Sequence, residues 1–255
     1  MIRRFRAHAA EQNWFAAAVD LSIVMLGVFL GIQATNWNQT RLDRNRGAVY
    51  RQRLSDELQI TENALRGLEA YSIAAKTAGE AALKALNEPA AATDNELLFD
   101  AYQASQTQPR GARHATYDEI TQSGTMDYLG PPALRDRISN FYWRMDGVLS
   151  LDAGSSAYRE KIRTVMPNTI QEAIREKCDE RLADAGNGLI VASLPQRCDP
   201  EIDSSLAYKV ASRLRRERGL ADALNRQLSS LDARSLGYAK LAAGAHDLRL
   251  TIGQY

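Results

Sequence analysis

Two cysteines offer the clearest chemistry in this 255-residue sequence. Cys178 and Cys198 flank a segment that contains Gly186, Gly188 and Pro195, a composition typical of a loop. A disulfide between them would close about 20 residues and stabilise the fold by about 3 kcal/mol. Two unrelated thiols are the alternative. Because disulfides persist outside the cytosol, pairing would indicate an oxidising compartment such as the periplasm.

Other residues capable of chemistry are scattered along the chain. Three histidines are isolated, without a second His or a Cys at the helical spacing that a metal site uses: His8, His114 and His246. Asp118 and Glu119 are adjacent, so on a helix they point to different faces. Cys178 could pair with a histidine only through an unseen tertiary contact. The chain has no glycine-rich nucleotide motif and no nucleophile elbow. We therefore predict no catalytic residue, metal ligand or cofactor.

The N-terminal region contains a long apolar stretch, Trp14–Ala34, with one formal charge, Asp20. About 21 helical residues cross roughly 30 Å of hydrocarbon. Trp14 and Trp37 bracket the stretch, as interfacial anchors do. We predict a transmembrane helix over 14–36. A buried helix of a soluble protein and a cleaved signal peptide are the alternatives, and the basic start of the chain suits the second.

Flanking charges and the cysteines bear on orientation. Arg3, Arg4 and Arg6 precede the span and favour a cytoplasmic N-terminus. Five arginines behind the span argue against it: Arg41, Arg44, Arg46, Arg51 and Arg53. A disulfide between Cys178 and Cys198 would favour a periplasmic domain, and therefore a cytoplasmic N-terminus. We predict a cytoplasmic tail 1–13 and a periplasmic soluble domain 37–255, held in the bacterial inner membrane by a single pass.

Small residues inside the span could mediate helix–helix contact. Gly27 and Gly31 form a G-x-x-x-G motif that Thr35 continues, and such a face lets two membrane helices approach closely. This predicts a homodimer through the membrane helix, although glycine is frequent in membrane helices without any contact. We interpret Asp20 as an interfacial carboxylate with access to water, and a polar contact to a partner helix is the alternative.

Two segments carry a resemblance to a known family. The stretch Gly31–Asn38 follows the apolar span, and Thr116–Gly124 combines aromatic and acidic residues before a glycine. The chain resembles uncharacterised bacterial single-span membrane proteins, in which the membrane helix runs into an N-x-W-N signature and an arginine-rich helix follows. The resemblance covers roughly residues 14–145, but the family usually has Glu where this chain has Asp20. It implies topology and fold, and no activity or site residue.

Composition favours helix along the rest of the chain, because Ala and Leu are plentiful while Gly and Pro are sparse. We predict an all-α fold, with the transmembrane helix continuing into a long helix and an extracytoplasmic helical bundle. The predicted long helix has a leucine seam that favours packing in a bundle over a dimeric coiled coil. The predicted elements are a long helix 38–87, helices at about 94–105, 115–123, 132–166, 169–182 and 203–250, and a loop 184–200.

Local signals mark several element ends. Thr93 and Glu96 have capping-box spacing, Asp203 or Ser204 is the predicted N-cap of the last helical region, and Gly124 suits a left-handed helix end. The apolar run at 189–192 could be a strand, but a single strand cannot stand alone, so we favour a loop segment that packs on the bundle.

Two polar groups allow a functional and a structural interpretation. The first group is Tyr117, Asp118, Glu119 and Ser123. These residues could form a pocket or a partner surface, or they could be part of a helix that packs on the core without a further role. The second could bind acidic headgroups or a partner, or could be a solvated helix face: Arg213, Arg215, Arg216 and Arg218. In both cases we favour the structural interpretation.

These features predict a non-enzymatic, membrane-anchored helical protein that acts through protein–protein contacts in the cell envelope. Its predicted partners are the lipid bilayer, a second copy and an unknown envelope protein. The net charge of +1 gives no support for nucleic acid. A ligand-sensing helical domain that signals through a partner is the alternative, and an enzyme with a dispersed site is a third.

Overall fold

A computed structural model describes residues 14–108, 114–150 and 155–255. They form two compact units, one ending at Val49 and the other comprising Tyr50–Tyr255. Regular structure in the described residues consists of eight α-helices, two short 3-10 turns and one two-stranded hairpin. The all-α prediction is thereby confirmed for this part of the chain. The predicted tail 1–13, which contains His8, lies outside the described residues.

The longest helix, α1, extends from Trp14 to Asn87. Its large apolar side chains between Val19 and Ile32 are all exposed, with 40–63% of their surface accessible. Among the described residues this is the one helix long and apolar enough to cross a membrane. The predicted end at residue 87 is confirmed, because Glu88 has an extended backbone ahead of Pro89.

Seven further helices and the hairpin follow α1 within the described residues. The helices are α2 (Asp94–Gln103), α3 (Ala115–Gln122), α4 (Pro132–Ser150), α5 (Ala157–Val165), α6 (Asn168–Lys177), α7 (Ser204–Arg216) and α8 (Leu220–Ile252). The antiparallel strands are β1 (Arg181–Asp184) and β2 (Ile190–Ser193). The 3-10 turns are Pro89–Ala91 and Met126–Leu129.

The second unit is built around α1 and α8, which run antiparallel. Gly79 of α1 lies beside Leu228 near the start of α8, while Glu62 lies beside His246 near its end. One hydrophobic cluster joins α1 to α4 and the end of α8, and another joins α2, α5, α6 and α7 to the start of α8. The predicted leucine seam of α1 is buried in the first cluster: Leu54, Leu58, Leu65 and Leu68.

Side-chain and backbone caps define several helix ends as predicted. Thr93 Oγ1 accepts the N–H of Glu96 at 3.2 Å, and the Glu96 carboxylate accepts the N–H of Thr93 at 2.7 Å. Asp203 caps α7 by accepting the N–H of Leu206 at 3.1 Å. Gly124 follows α3 with φ +67°, where a residue with a Cβ would be strained.

The structure corrects the prediction for residues 169–200. The predicted helix 169–182 stops at Lys177, and the predicted loop 184–200 contains β2. The prediction places 181–182 in a helix and so leaves a strand at 190–193 without a partner. In the structure, residues 181–184 form β1, which pairs with β2. The carboxylate of Asp184 accepts the N–H groups of Gly186 and Gly188, which fixes the connecting turn.

Two long predicted helical regions each contain two helices. The predicted helix 132–166 divides into α4 and α5, because the hydroxyl of Ser156 accepts the N–H of Arg159 at 3.1 Å and caps a new helix. Residues 151–154 lie outside the described part. In the predicted region 203–250, for which the sequence allows one or two helices, the structure has two, and Gly219, with a φ of +71° in the left-handed region, separates α7 from α8.

Candidate binding groove

The predicted disulfide residues are joined in the structure. Cys178 follows the last residue of α6, and its Cα lies 5.8 Å from that of Cys198. The bridge closes a segment with a sequence separation of 20 that contains the whole β1–β2 hairpin. Because its sulfur is bonded, Cys178 has no thiol with which a histidine could form a nucleophile–base pair.

The two described histidines each contact a carboxylate within the fold. His114 Nδ1 lies 2.8 Å from Asp118, and His246 Nδ1 lies 3.2 Å from Glu62. Burial alone would raise the pKa of the Glu62 carboxyl, but hydrogen bonds from Arg66 and His246 hold that pKa below its ordinary value. Within the described ranges, no three His, Cys, Asp or Glu side chains converge as metal ligands would.

The polar group around α3 serves packing. The carboxylate of Glu57 on α1 accepts the N–H of Thr116 at 2.6 Å and the hydroxyl of Tyr142 at 2.7 Å, so it caps the start of α3 from another helix. Tyr117 stacks on Tyr142 with ring centroids 4.1 Å apart. Glu119 pairs with an arginine of α1, with Arg53 Nη1 3.0 Å from Oε1. Asp118 binds His114, and Ser123 donates to a carbonyl of its own helix.

The arginine cluster at the end of α7 does not form one surface. Arg215 points inward and donates to Asp94 at 2.8 Å. Arg216 donates to the carbonyl of Ser212, one turn earlier in its own helix. Arg213 and Arg218 are exposed. The solvated-face interpretation therefore fits most of the cluster, and Arg215 departs from it.

The predicted helix–helix contact face of the apolar segment, which contains Gly27 and Gly31, is not covered by other residues of the first unit. A Cβ placed on Gly27 or Gly31 would meet no atom within 4 Å. The hydroxyl of Thr35 donates to the carbonyl of Gly31 at 2.9 Å, so the helix itself satisfies this polar group. Asp20 is exposed.

An open groove of about 1520 Å³ lies in the Tyr50–Tyr255 unit, in a place where the sequence predicts no site. One wall is a face of α1. A second wall is the start of α2 with the 3-10 turn before it, and a third is the end of the disulfide-closed loop, Pro195–Asp199. The first residues of α7 complete the lining. Two parts of the chain that are distant in sequence, 70–100 and 195–207, therefore meet in one cavity.

The α1 wall consists of small side chains around one larger one. Its members recur at helical spacing and so share one face: Ala70, Ile73, Ala74, Thr77, Ala78 and Ala81. Ile73 is 48% exposed, although it is a large aliphatic residue. Because the distance between packed helices depends on the side chains at their contact, this face allows a close approach by another helix.

The remaining walls carry most of the charge. Four acidic residues line the groove against two basic ones: Asp94, Glu96, Asp100 and Asp199 against Lys84 and Arg197. Three of the acids are used by the fold. Asp94 accepts from Arg215, Glu96 completes the capping box, and Asp199 accepts the N–H of Glu201 at 2.9 Å.

Asp100 differs from the other acids of the groove. Asp100 is half-buried, and among the described residues no side chain forms a hydrogen bond or an ion pair with its carboxylate. Burial, followed by the nearby charge of Glu96, raises the pKa of the Asp100 carboxyl to about 7. A carboxyl with a perturbed pKa in a cleft is a candidate for a functional site.

Sequence reasoning missed this groove although part of its signal is visible. The spacing of Glu96 and Asp100 by four residues places two acids on one face of α2. The alanines of the opposite wall, however, lie some 20 residues earlier, and the third wall depends on the disulfide. No family model, no curated protein and no solved structure matches the chain. The groove must be interpreted from its own chemistry.

Proposed function

We propose that this chain is a non-enzymatic, membrane-anchored protein of the bacterial cell envelope, and that its groove binds a segment of a partner protein. The observation that carries the proposal is the groove itself, with a wall of small side chains and a carboxyl at Asp100 that has no partner among the described residues. Such a surface suits recognition of a polypeptide, in which a helix face fits a groove and polar anchors fix the register.

The proposed topology places 14–36 in the inner membrane as a single pass, with 1–13 in the cytoplasm and 37–255 in the periplasm. The exposed apolar side chains between Val19 and Ile32 support it, because water would solvate them poorly and lipid would not. The Cys178–Cys198 pairing supports an oxidising compartment for the domain. The resemblance to single-span membrane proteins points the same way.

The size of the groove favours a polypeptide over a small molecule. Small-molecule sites usually occupy roughly 300–1,000 Å³ and enclose most of the ligand, whereas this groove is larger and open along α1. A ligand-sensing function is the second candidate, and the inward-facing carboxyl of Asp100 is the observation that favours it. Sensing would then act through a partner protein.

An enzymatic function has one observation in its favour. The pKa of Glu96 is lowered, chiefly by its backbone hydrogen bond to Thr93, while that of Asp100 is raised, and such divergence occurs in acid–base pairs. Oε2 of Glu96, however, accepts both the N–H and the hydroxyl of Thr93, which holds this carboxylate in place as the cap of α2. We therefore assign the pair to the fold and to binding.

Photo-crosslinking in membranes tests the proposal. A photoreactive phenylalanine analogue at Ile73, inside the groove, should give an adduct with a defined segment of another protein in living cells. The matched control is the same analogue at Trp143, which is 76% exposed on α4 and lies outside the groove. Adducts at Trp143 with none at Ile73 would contradict a role for the groove in partner binding.

A further inference from the structure

The groove has an electrostatic imbalance that its own residues do not resolve. Asp94, Glu96 and Asp199 are each held by hydrogen bonds from the fold, but the carboxylate of Asp100 has no cationic partner among the described residues. Among the described residues, this wall therefore presents one carboxylate that the fold leaves without a cationic partner.

The opposite wall determines what kind of chain could bring the missing donors. The face of α1 from Ala70 to Lys84 rises roughly 21 Å, about four helical turns. Its alanines present no side chain that would hold a second helix away, and Ile73 offers an apolar anchor. An extended strand would find no free strand edge in this wall, because α1 satisfies its own backbone hydrogen bonds. The shape thus fits a helix.

We infer that the groove accepts a helical segment of a partner protein, and that a lysine or arginine on this segment pairs with Asp100. The inference rests on the proposed function and adds the chemistry of the partner. One face of the bound helix would be small or apolar, against the alanine wall, and the basic side chain would point toward α2. A basic group brings both the charge and the hydrogen-bond donors that the described residues do not give Asp100, and charge-assisted hydrogen bonds are stronger than neutral ones.

The test uses the full-length protein in lipid nanodiscs and three helical peptides as probes. The peptides share an alanine-rich sequence and differ at one central position, which is lysine, norleucine or glutamate. We expect the lysine peptide to bind about tenfold more tightly than the norleucine peptide, as one charge-assisted hydrogen bond would give. The glutamate peptide should bind most weakly.

Variants identify the acid responsible. Asp100→Asn should remove the preference for lysine, whereas Asp222→Asn should keep it, because Asp222 is exposed on α8 and does not line the groove. Equal binding of the three peptides, a lysine preference that survives in Asp100→Asn, or no binding of any peptide would each overturn the inference. If the adduct at Ile73 still formed in cells, the proposed function would stand while the cationic specificity would fall.

Discussion

Buried carboxylates in this domain fall into two groups at the scale of single residues. Glu57 and Glu62 are nearly inaccessible, and each is surrounded by donors: Glu57 by Thr116 and Tyr142, Glu62 by Arg66 and His246. Asp100 is half-buried and has no such partner in the described part of the chain. Contacts within the fold explain the first two acids, and we propose that a basic group of a partner pairs with the third.

Asp100 gives a prediction about stability and pH. Its folded-state pKa of about 7 lies above the value of about 4 in an unfolded chain, so ionisation of Asp100 opposes folding. The penalty is absent below about pH 4, grows as the pH rises, and is complete above about pH 7. Asp100→Asn should therefore stabilise the protein at pH 8 by roughly 2 kcal/mol, about half of what the full shift would give, because solvent reaches part of the carboxyl.

Denaturant unfolding at pH 4 and pH 8 measures this effect. The gain from Asp100→Asn should be present at pH 8 and nearly absent at pH 4. Asp136→Asn serves as the control, with little change at either pH, because Asp136 is exposed on α4 and lies outside the first turn of that helix. A loss of stability in Asp100→Asn at pH 8 would mean that the fold itself uses this carboxylate, and the argument for a binding role would fail.

Residue-level features could be predicted where the interaction is local. The capping box of Thr93 and Glu96, the cap at Asp203 and the left-handed Gly124 each depend on fewer than about five consecutive residues, and all three are confirmed. Asp100 could not be assigned a role in this way. Its pKa depends on burial by walls that come from other parts of the chain, and no short-range pattern contains that information.

At the scale of elements, the hairpin shows why tertiary contacts override local propensity. Residues 181–182 belong to the predicted helix 169–182, yet they form part of β1 because β2 pairs with them. The hairpin packs on α1, where a Cβ on Gly67 would lie 3.1 Å from the Cβ of Val191. The glycine therefore permits the close approach of a strand to a helix, a requirement that only the folded arrangement reveals.

The disulfide gives a prediction for the same elements. Replacing both Cys178 and Cys198 with Ser should lower the free energy of unfolding by about 3 kcal/mol, because the unfolded chain regains the freedom of a 20-residue loop. The variant should also bind partner peptides more weakly, since Pro195–Asp199 forms one wall of the groove. Guanidinium unfolding and peptide titration provide the two measurements.

Reduction of the wild-type protein is the matched control for that variant. If the reduced wild type and the double serine variant agree in stability, the loss belongs to the bond and not to the substituted side chains. Unchanged stability in both would show that the bridge does not constrain the loop, and free thiols on both cysteines in unreduced protein from cells would argue against a periplasmic domain.

At the scale of the whole molecule, the proposed apolar anchor presents a helix face that could bring two copies together. Substituting leucine for both Gly27 and Gly31 should reduce in-membrane disulfide crosslinking through Ala34→Cys by at least tenfold, because the bulkier side chains would separate the two backbones. The control replaces Met25 and Phe29, which lie on the opposite face, with leucine and should leave crosslinking unchanged. Equal crosslinking in both variants would remove the basis for a dimer through this face.

Whether the helix that begins at Trp14 holds the domain at a bilayer is the claim on which compartment, disulfide and partner all depend. Alkaline carbonate extraction of membranes that contain the full-length protein tests it most directly. We predict that the protein stays in the membrane pellet and enters solution only with detergent, because about 20 apolar residues would otherwise be exposed to water. Release into the carbonate supernatant, with the purified chain soluble without detergent, would contradict the account.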